Sequence, residues 1–331
     1  MSTQTMRAVQ VHHYGGPEQL KLEEKPRPQP QTGEVLVRVY AAGVNPIDWK
    51  IRQGLMKESR PVTFPYTPGI EVAGVVEDVG PTVTAFEIGQ AVFGQVAEGA
   101  YAEYLTVPIE TLALKPKTLS FVEAATVPVG ATTAWRTLFD HGGLASGQRV
   151  LIQGAAGGVG LFAVQLAKWK GAQVIGTAST ANLDFVRGLG ADMVVDYTTT
   201  PIESVIQDVD LVLDGVGAQT LSSSLAVLKP GGTLISIAGP PAQEQARARG
   251  VRALMSRGAA STPLQTFTQL IDEGQLKVTA GKTFALSEAQ QAHEYGQSSH
   301  GRGRIVLQIA DGAENTFAQR VNLMMKWMVF Q

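Results

Sequence analysis

The chain has no cysteine and only five histidines among its 331 residues. The missing cysteine removes disulfides, thiolate nucleophiles, iron–sulfur clusters and cysteine-ligated zinc together. A metal site would have to lean on carboxylates, and neither His293 nor His300 has a ligand partner at metal spacing. Charge is also sparse, at 17% of residues with a net charge of −2. No basic field exists for nucleic acid, so no nucleic-acid partner is expected. No apolar run approaches the roughly 18 residues of a membrane-spanning helix, so no membrane span is expected. The first residues show no basic segment followed by an apolar one, which leads to an expected cytoplasmic location.

What is present is a folding chain. Hydrophobic residues make up 44%, too many for disorder. The length exceeds the roughly 250–300 residues at which one core stops growing, so two domains are the default. Residues 6–12, 34–42 and 70–79 read as Val-rich strands bounded by Gly and Pro, with shorter strands at 91–96 and 102–108. Pro26, Pro28 and Pro30 mark an extended connection. Residues 122–139 read as a helix broken at Pro128 and Gly130. Strands and helices then alternate: strand 149–154, helix 159–169, strand 173–178, helix 183–189, strands 193–196 and 210–214, helix 219–228, strand 233–238 and helix 263–272. This alternation calls for α/β architecture, a doubly wound parallel sheet covered on both faces. Residues 304–309 form a last strand, expected to return to the first domain. Residues 311–331 read as a tail with helical spacing at Phe317, Val321, Met324 and Met328.

The strongest chemical signal is Gln153-Gly154-Ala155-Ala156-Gly157-Gly158-Val159-Gly160. It follows an apolar strand and opens an apolar helix. Such a turn brings backbone N–H groups to a pyrophosphate, and the helix N-terminus favours the anion. Gly157 permits close approach and Gly160 lets the helix pack near the strand. Ala155 stands where the strict G-x-G-x-x-G pattern has its first Gly. The alternative is a tight structural turn without ligand. About 20 residues on, an NAD-binding chain carries an acid for the ribose. Here Gly176-Thr177-Ala178-Ser179-Thr180 has none. Hydroxyls from Thr177, Ser179 and Thr180 can donate to a 2′-phosphate, so NADPH is favoured over NADH. Tyr197 is a further contact candidate, with an exposed role as its alternative.

These features, together with Ala41–Lys50 (AAGVNPIDWK), Pro68–Gly74 (PGIEVAG) and Leu228–Gly232 (LKPGG), resemble the medium-chain dehydrogenase/reductase superfamily, and most closely its zinc-independent quinone oxidoreductase and enone reductase branch. The resemblance runs from about Met6 to Ile309. It implies a GroES-like, mostly-β catalytic domain (1–125 with a return segment, 276–310) and a Rossmann domain (126–275), assembled as a homodimer or homotetramer. Zinc members place Cys where this chain has Asn45 and His where it has Ile70, so no zinc is expected. The implied reaction passes hydride from NADPH to a quinone or to the β-carbon of an α,β-unsaturated carbonyl. The alternatives are a zinc-free enzyme acting on another carbonyl, or a non-catalytic nucleotide-binding protein.

Without a metal, hydride transfer depends on positioning and hydrogen bonds. Asn45 is a candidate to hold the cofactor ribose or the acceptor oxygen, although Asn before Pro is also a common turn former. Lys50 is a candidate to stabilise an enolate or donate a proton. Asp48 is a candidate to orient Lys50 or a ribose hydroxyl, with helix capping as its structural alternative. Tyr66 is a candidate wall of the substrate pocket. The resemblance places Thr133 beside the nicotinamide, and Ala238 and Gly239 near the cofactor. Close relatives carry a basic residue where this chain has Ala181; Arg302 and Arg304 are expected to compensate if the return segment passes the adenosine phosphate.

Overall fold

The computed structural model describes residues 4–256, 263–298 and 303–310. The expectations for His300, Arg302 and the 311–331 tail lie outside these residues. Strands β1 (Thr5–Gln10) and β2 (Lys21–Pro26) pair antiparallel. They are followed by β3 (Glu34–Val44), β4 (Glu71–Val79), β5 (Ala91–Gln95), β6 (Tyr104–Pro108) and β7 (Leu112–Leu114). Next come β8 (Arg149–Gln153), β9 (Gln173–Ala178), β10 (Met193–Asp196), β11 (Val209–Asp214), β12 (Leu228–Ser236) and β13 (Arg252–Met255). The last two are β14 (Ala280–Ala285) and β15 (Arg304–Gln308).

These strands build two large sheets. The first has the order β14-β15-β3-β4-β5-β7, with β6 also paired to β3. In β3, Val35, Val37 and Val39 enter one core with exposed Arg38 between them, the period-2 alternation of a strand. The return strand is confirmed: β15 pairs antiparallel with β3, Ile305 opposite Val44 and Gln308 opposite Ala41. The second sheet is parallel, in the order β10-β9-β8-β11-β12-β13. Numbered within the sheet this is 3-2-1-4-5-6, so the chain reverses direction of growth between β8 and β11. Val150, Leu151 and Ile152 are all buried, as are Leu211, Val212 and Leu213, because helices cover both faces. Leu151 and Val212 face one core; Val150, Ile152, Leu211 and Leu213 face the other. That second core continues into Ala41, Ala73, Phe93 and Val306 of the antiparallel sheet.

Several boundaries differ from expectation. Pro128 opens a helix (Pro128–Trp135) rather than breaking one, and the coil runs on through Arg136–His141. Proline at the first helical position loses no hydrogen bond. The helix read at 219–228 is shorter, Leu221–Ala226, and β12 starts at Leu228. β2, β13 and β14, and the helices Gln243–Ala248 and Ala289–Ser298, were not anticipated.

One glycine sets the distance between sheet and site. Helix Gly160–Trp169 is buried from Gly160 through Ala167. A Cβ on Gly160 would lie 2.2 Å from the Gly154 carbonyl oxygen and 2.7 Å from Ala155 Cα. Backbone cannot step aside cheaply, so Gly160→Ala is expected to cost about 1–3 kcal/mol, in the range of overpacked sites. Gly239→Ala, where a Cβ meets nothing within 4 Å, should leave the thermal midpoint nearly unchanged. Equal thermal midpoints for the two variants would contradict this packing account.

Candidate active site

A cavity of about 1040 Å³ opens at the carboxyl ends of β8 and β11, the switch point where open α/β sheets bind ligands. Ala156, Gly157 and Gly158 line it, and the helix beginning at Gly160 presents first-turn N–H groups that have no partner within the helix. Ala155, Val159 and Gly160 shape this turn rather than line the cavity: Ala155 donates its N–H to Thr177 O at 3.0 Å, and Val159 is the helix N-cap. Across the opening, Asp214 is fully buried and accepts the N–H groups of Val216 and Gly217 at 3.0 and 2.8 Å. It thereby fixes the loop whose Gly215 and Val216 form the opposite wall.

At the β9 end the three hydroxyls part company. Thr177 is buried; its hydroxyl donates to Gln153 Oε1 at 2.7 Å and accepts the Gly154 N–H at 3.1 Å. Thr177 lines the cavity, with its hydroxyl proton given to Gln153. Thr180 donates to Asp196 Oδ2 at 2.6 Å and borders neither of the two described cavities. That carboxylate comes from the neighbouring β10 and is held below its usual pKa by the Thr180 and Thr198 hydroxyls. Ser179 does line the cavity and accepts a hydrogen bond from Asn182 at 3.0 Å, leaving its own proton to donate. Tyr197 lines the same end and is 56% exposed. Thr133, Ala238 and Gly239 are half-buried and line neither described cavity. Ala238 and Gly239 donate their N–H groups to Ser236 Oγ.

The cavity floor is a buried charge network. Asn45 caps helix Pro46–Arg52 through its backbone, with Asp48 Oδ2 accepting the Asn45 N–H at 2.8 Å. The Asn45 side chain is turned elsewhere: Nδ2 donates to Glu71 Oε1 at 2.8 Å, and Oδ1 accepts from Arg304. Arg304 also pairs with Glu71, whose second oxygen accepts the Val129 N–H at 2.9 Å. Glu71 is 0% and Arg304 6% exposed. Arg304 therefore sits under the glycine turn, where a Cβ on Gly158 would meet its Cγ at 3.2 Å. This corrects the expectation that it reaches the adenosine phosphate: it is buried and paired at the other end of the cavity.

Lys50 is exposed and borders neither cavity. Asp48 does not orient it. Instead Asp48 receives the Tyr101 hydroxyl at 3.1 Å, and Tyr101 lies 3.1 Å from His293 Nε2. Burial pushes the Asp48 carboxyl up to about 7, against the opposing Asn45 N–H and Tyr101 O–H bonds. Burial, helped by the Arg52 cation, pulls His293 down to about 3, so it is neutral. Tyr66 is 5% exposed and, with Asp48, lines a second cavity of about 340 Å³. The two cavities flank opposite faces of one helix: Pro46 and Trp49 border the large one, Asp48 and Ile51 the small one.

Comparison with known proteins places this geometry. Residues 31–117 match the family described as Alcohol dehydrogenase GroES-like domain, and residues 189–307 match Zinc-binding dehydrogenase. The quinone oxidoreductase of Mus musculus is 34% identical over 320 residues, covering 90% of this chain and 96% of that protein. The chain belongs to the quinone oxidoreductase branch of the medium-chain dehydrogenases/reductases. A chloroplastic NADPH-dependent alkenal/one oxidoreductase of Arabidopsis thaliana, another relative, is 34% identical over 91% of this chain and 79% of its own length. Among solved structures, the quinone oxidoreductase from Coxiella burnetii superposes with a TM-score of 0.86 at 33% identity, covering 93% of this chain and all of that one. The CurK enoyl reductase does so with a TM-score of 0.85 at 29% identity, over 93% and 100%.

Within this branch's fold, the site residues missed from sequence are Glu71, Tyr101, Asn182, Asp214 and His293. Glu71 stood inside the PGIEVAG landmark, and its place between Ile70 and Val72 in a Val-rich strand was the available signal. Two outcomes follow from the network. Removing the cation in Arg304→Met strands a buried carboxylate, and the loss should be about 3–5 kcal/mol in chemical denaturation, with Glu71→Gln added on top recovering part of it. The second concerns pH. Asp48 titrates at about 7 in the fold and near 3.9 when unfolded, so the native state binds the extra proton between those values. Native stability contributed by Asp48 is greatest at low pH and is lost as pH rises from about 4 through 7. The thermal midpoint of wild type relative to Asp48→Asn should therefore fall over that window and level off above it; a flat difference would show an ordinary carboxylate.

Proposed function

We propose that this chain is a zinc-free, NADPH-dependent reductase of quinones and α,β-unsaturated carbonyls, acting as a cytoplasmic homodimer or homotetramer. The observation that carries the reading is one continuous cavity running from the glycine turn to Asn45. Gly157, Gly158 and the helix N-terminus at Gly160 would hold a pyrophosphate, and Ser179 and Tyr197 the adenosine end. When bound, the nicotinamide supplies the hydride. Absence of a carboxylate across 176–180 leaves room for a 2′-phosphate, which supports NADPH over NADH, as does the relative whose name specifies NADPH.

Asn45 has a second amide proton beyond the one given to Glu71. Locked by Glu71 and Arg304, it is pre-organised to donate to a ribose hydroxyl or to the acceptor oxygen where charge develops. The donor chemistry supports a zinc-free reading: Asn45 and Glu71 close on the Arg304 cation, and Ile70 is a hydrocarbon. A homo-oligomer is supported by β13, an edge strand with no strand pairing on its outer side among the described residues. The test is loss of NADPH absorbance over a panel of ortho-quinones, para-quinones and enones, with NADH in parallel and with a chelator. Chelator-insensitive turnover faster with NADPH is expected, and Asn45→Ala should lower kcat/KM about 100-fold. Alcohol products, or tight NADPH binding without turnover, would move the chain to one of the alternative functions.

A further inference from the structure

Four charged side chains line the large cavity among the described residues: Glu203, Arg249, Lys282 and Arg304. A dinucleotide held there brings the charge of its pyrophosphate and, as NADPH, of a further phosphate on the adenosine ribose. The β9 end meets none of that charge with a cation. Ser179 and Tyr197 offer hydroxyls, position 181 is alanine, and the charged group bonded to Thr180 is a carboxylate, Asp196.

Two of the three cavity cations are committed or misplaced. Arg304 is buried against Glu71 and Asn45. Arg249 follows helix Gln243–Ala248 and leads into the amino end of β13. The glycine turn leaves the carboxyl end of β8, and in this parallel sheet the two ends are opposite edges. Lys282 remains.

Lys282 lies on β14, in the antiparallel sheet that faces the glycine turn. Ala280 pairs with Arg304 and Thr283 with Val306, so Gly281 and Lys282 together stand against Ile305 alone. Such a bulge re-aims a side chain, and bulges gather beside active sites. The exposed Lys282 ammonium stands 4.6 Å from the centre of the Tyr295 ring and 4.9 Å from that of Phe284. Phe284 belongs to the core and Tyr295 lines the cavity. Both rings attract the cation through their faces and fix it at the cavity wall. No carboxylate pairs with it among the described residues. The neighbouring strand brings this wall to the turn: Arg304 Cγ lies 3.2 Å from where a Cβ on Gly158 would stand, and β14 is one strand spacing further, about 5 Å.

We propose that Lys282 is a cofactor-binding residue: its ammonium pairs with a phosphate of the dinucleotide whose pyrophosphate lies on the glycine turn opposite. The proposal rests on the nucleotide-dependent reductase reading above and deepens it, because the contact comes from outside the parallel sheet. The phosphate then joins the two sheets across the cleft, with the turn donating N–H groups from one side and the lysine from the other. A cleft between low-dielectric walls strengthens such a pair beyond an exposed ion pair. The pyrophosphate and the 2′-phosphate share this chemistry, and a pair of nucleotides separates them.

The test is the dissociation constant of NADPH and of NADH, read from nucleotide fluorescence at low salt on the full chain. Wild type is compared with Lys282→Gln, Lys282→Arg and Arg249→Gln. Both lysine substitutions are at an exposed position, where replacement is tolerated by the fold. Lys282→Gln should weaken NADPH binding about 10-fold or more, as expected for a lost hydrogen bond between charged groups. Lys282→Arg should recover most of the affinity, and the gap between wild type and Lys282→Gln should narrow at about 0.5 M salt. An equal loss with NADH assigns the contact to the pyrophosphate; a loss confined to NADPH assigns it to the 2′-phosphate, and each supports the proposal. Unchanged affinity of Lys282→Gln for both nucleotides, or a loss of the same size in Arg249→Gln, overturns the proposal and leaves the reductase reading standing. A wild-type chain that binds neither nucleotide overturns that reading and the Lys282 contact with it.

Discussion

A buried ion pair holds the active site together. Glu71 on β4 and Arg304 on β15 are both removed from water, and both carboxylate oxygens are hydrogen-bonded: one takes Asn45 and Arg304, the other takes the Val129 N–H. An isolated charge at this depth would cost several kcal/mol, so neither side chain is tolerable without the other. Through these contacts the return strand, the cap of helix Pro46–Arg52 and the start of helix Pro128–Trp135 are fixed to one point. Gly43 has to be glycine for this arrangement, because a Cβ there would fall 2.0 Å from Glu71 Oε1. Arg304 then packs against Gly130 and Gly158, which ties the antiparallel sheet to the glycine turn of the parallel one.

The consequence for chemistry is a rigid, nearly neutral floor. Asn45 is held by its neighbours in one orientation, with one amide proton in reserve. The short helix that begins after it separates two cavities, a long one on one face and a small one on the other. Low effective dielectric on the Asp48 face strengthens every hydrogen bond made there, and the same burial raises the Asp48 carboxyl toward neutrality.

The parallel sheet was legible in the sequence because its central strands are continuous runs of Val, Leu and Ile separated by helices, a pattern written locally. The glycine turn was legible for the same reason. The edge strands were not: Arg252–Met255 is four residues with no period, and Ala280–Ala285 mixes Gly, Lys and Thr. Helix Ala289–Ser298 is polar over most of its length and offers little apolar stripe to detect. Within the site, Asn45 and Asp48 were found because they fall in one motif. Their partners were not, because Arg304 lies 233 residues from Glu71 and His293 lies 192 from Tyr101. No spacing rule connects such pairs; only the folded sheet brings them into contact. The partners of the Thr177 and Thr180 hydroxyls were hidden for a related reason, since Gln153 and Asp196 sit on neighbouring strands.

The central claim is that this cleft delivers hydride to the far carbon of a conjugated acceptor. It is tested most directly by reducing an enone in ordinary water with NADPH carrying deuterium at nicotinamide C4 and locating the label in the product. The account predicts a saturated ketone with deuterium on the β-carbon and a hydrogen from water on the α-carbon. Deuterium on the carbonyl carbon of an allylic alcohol would contradict it.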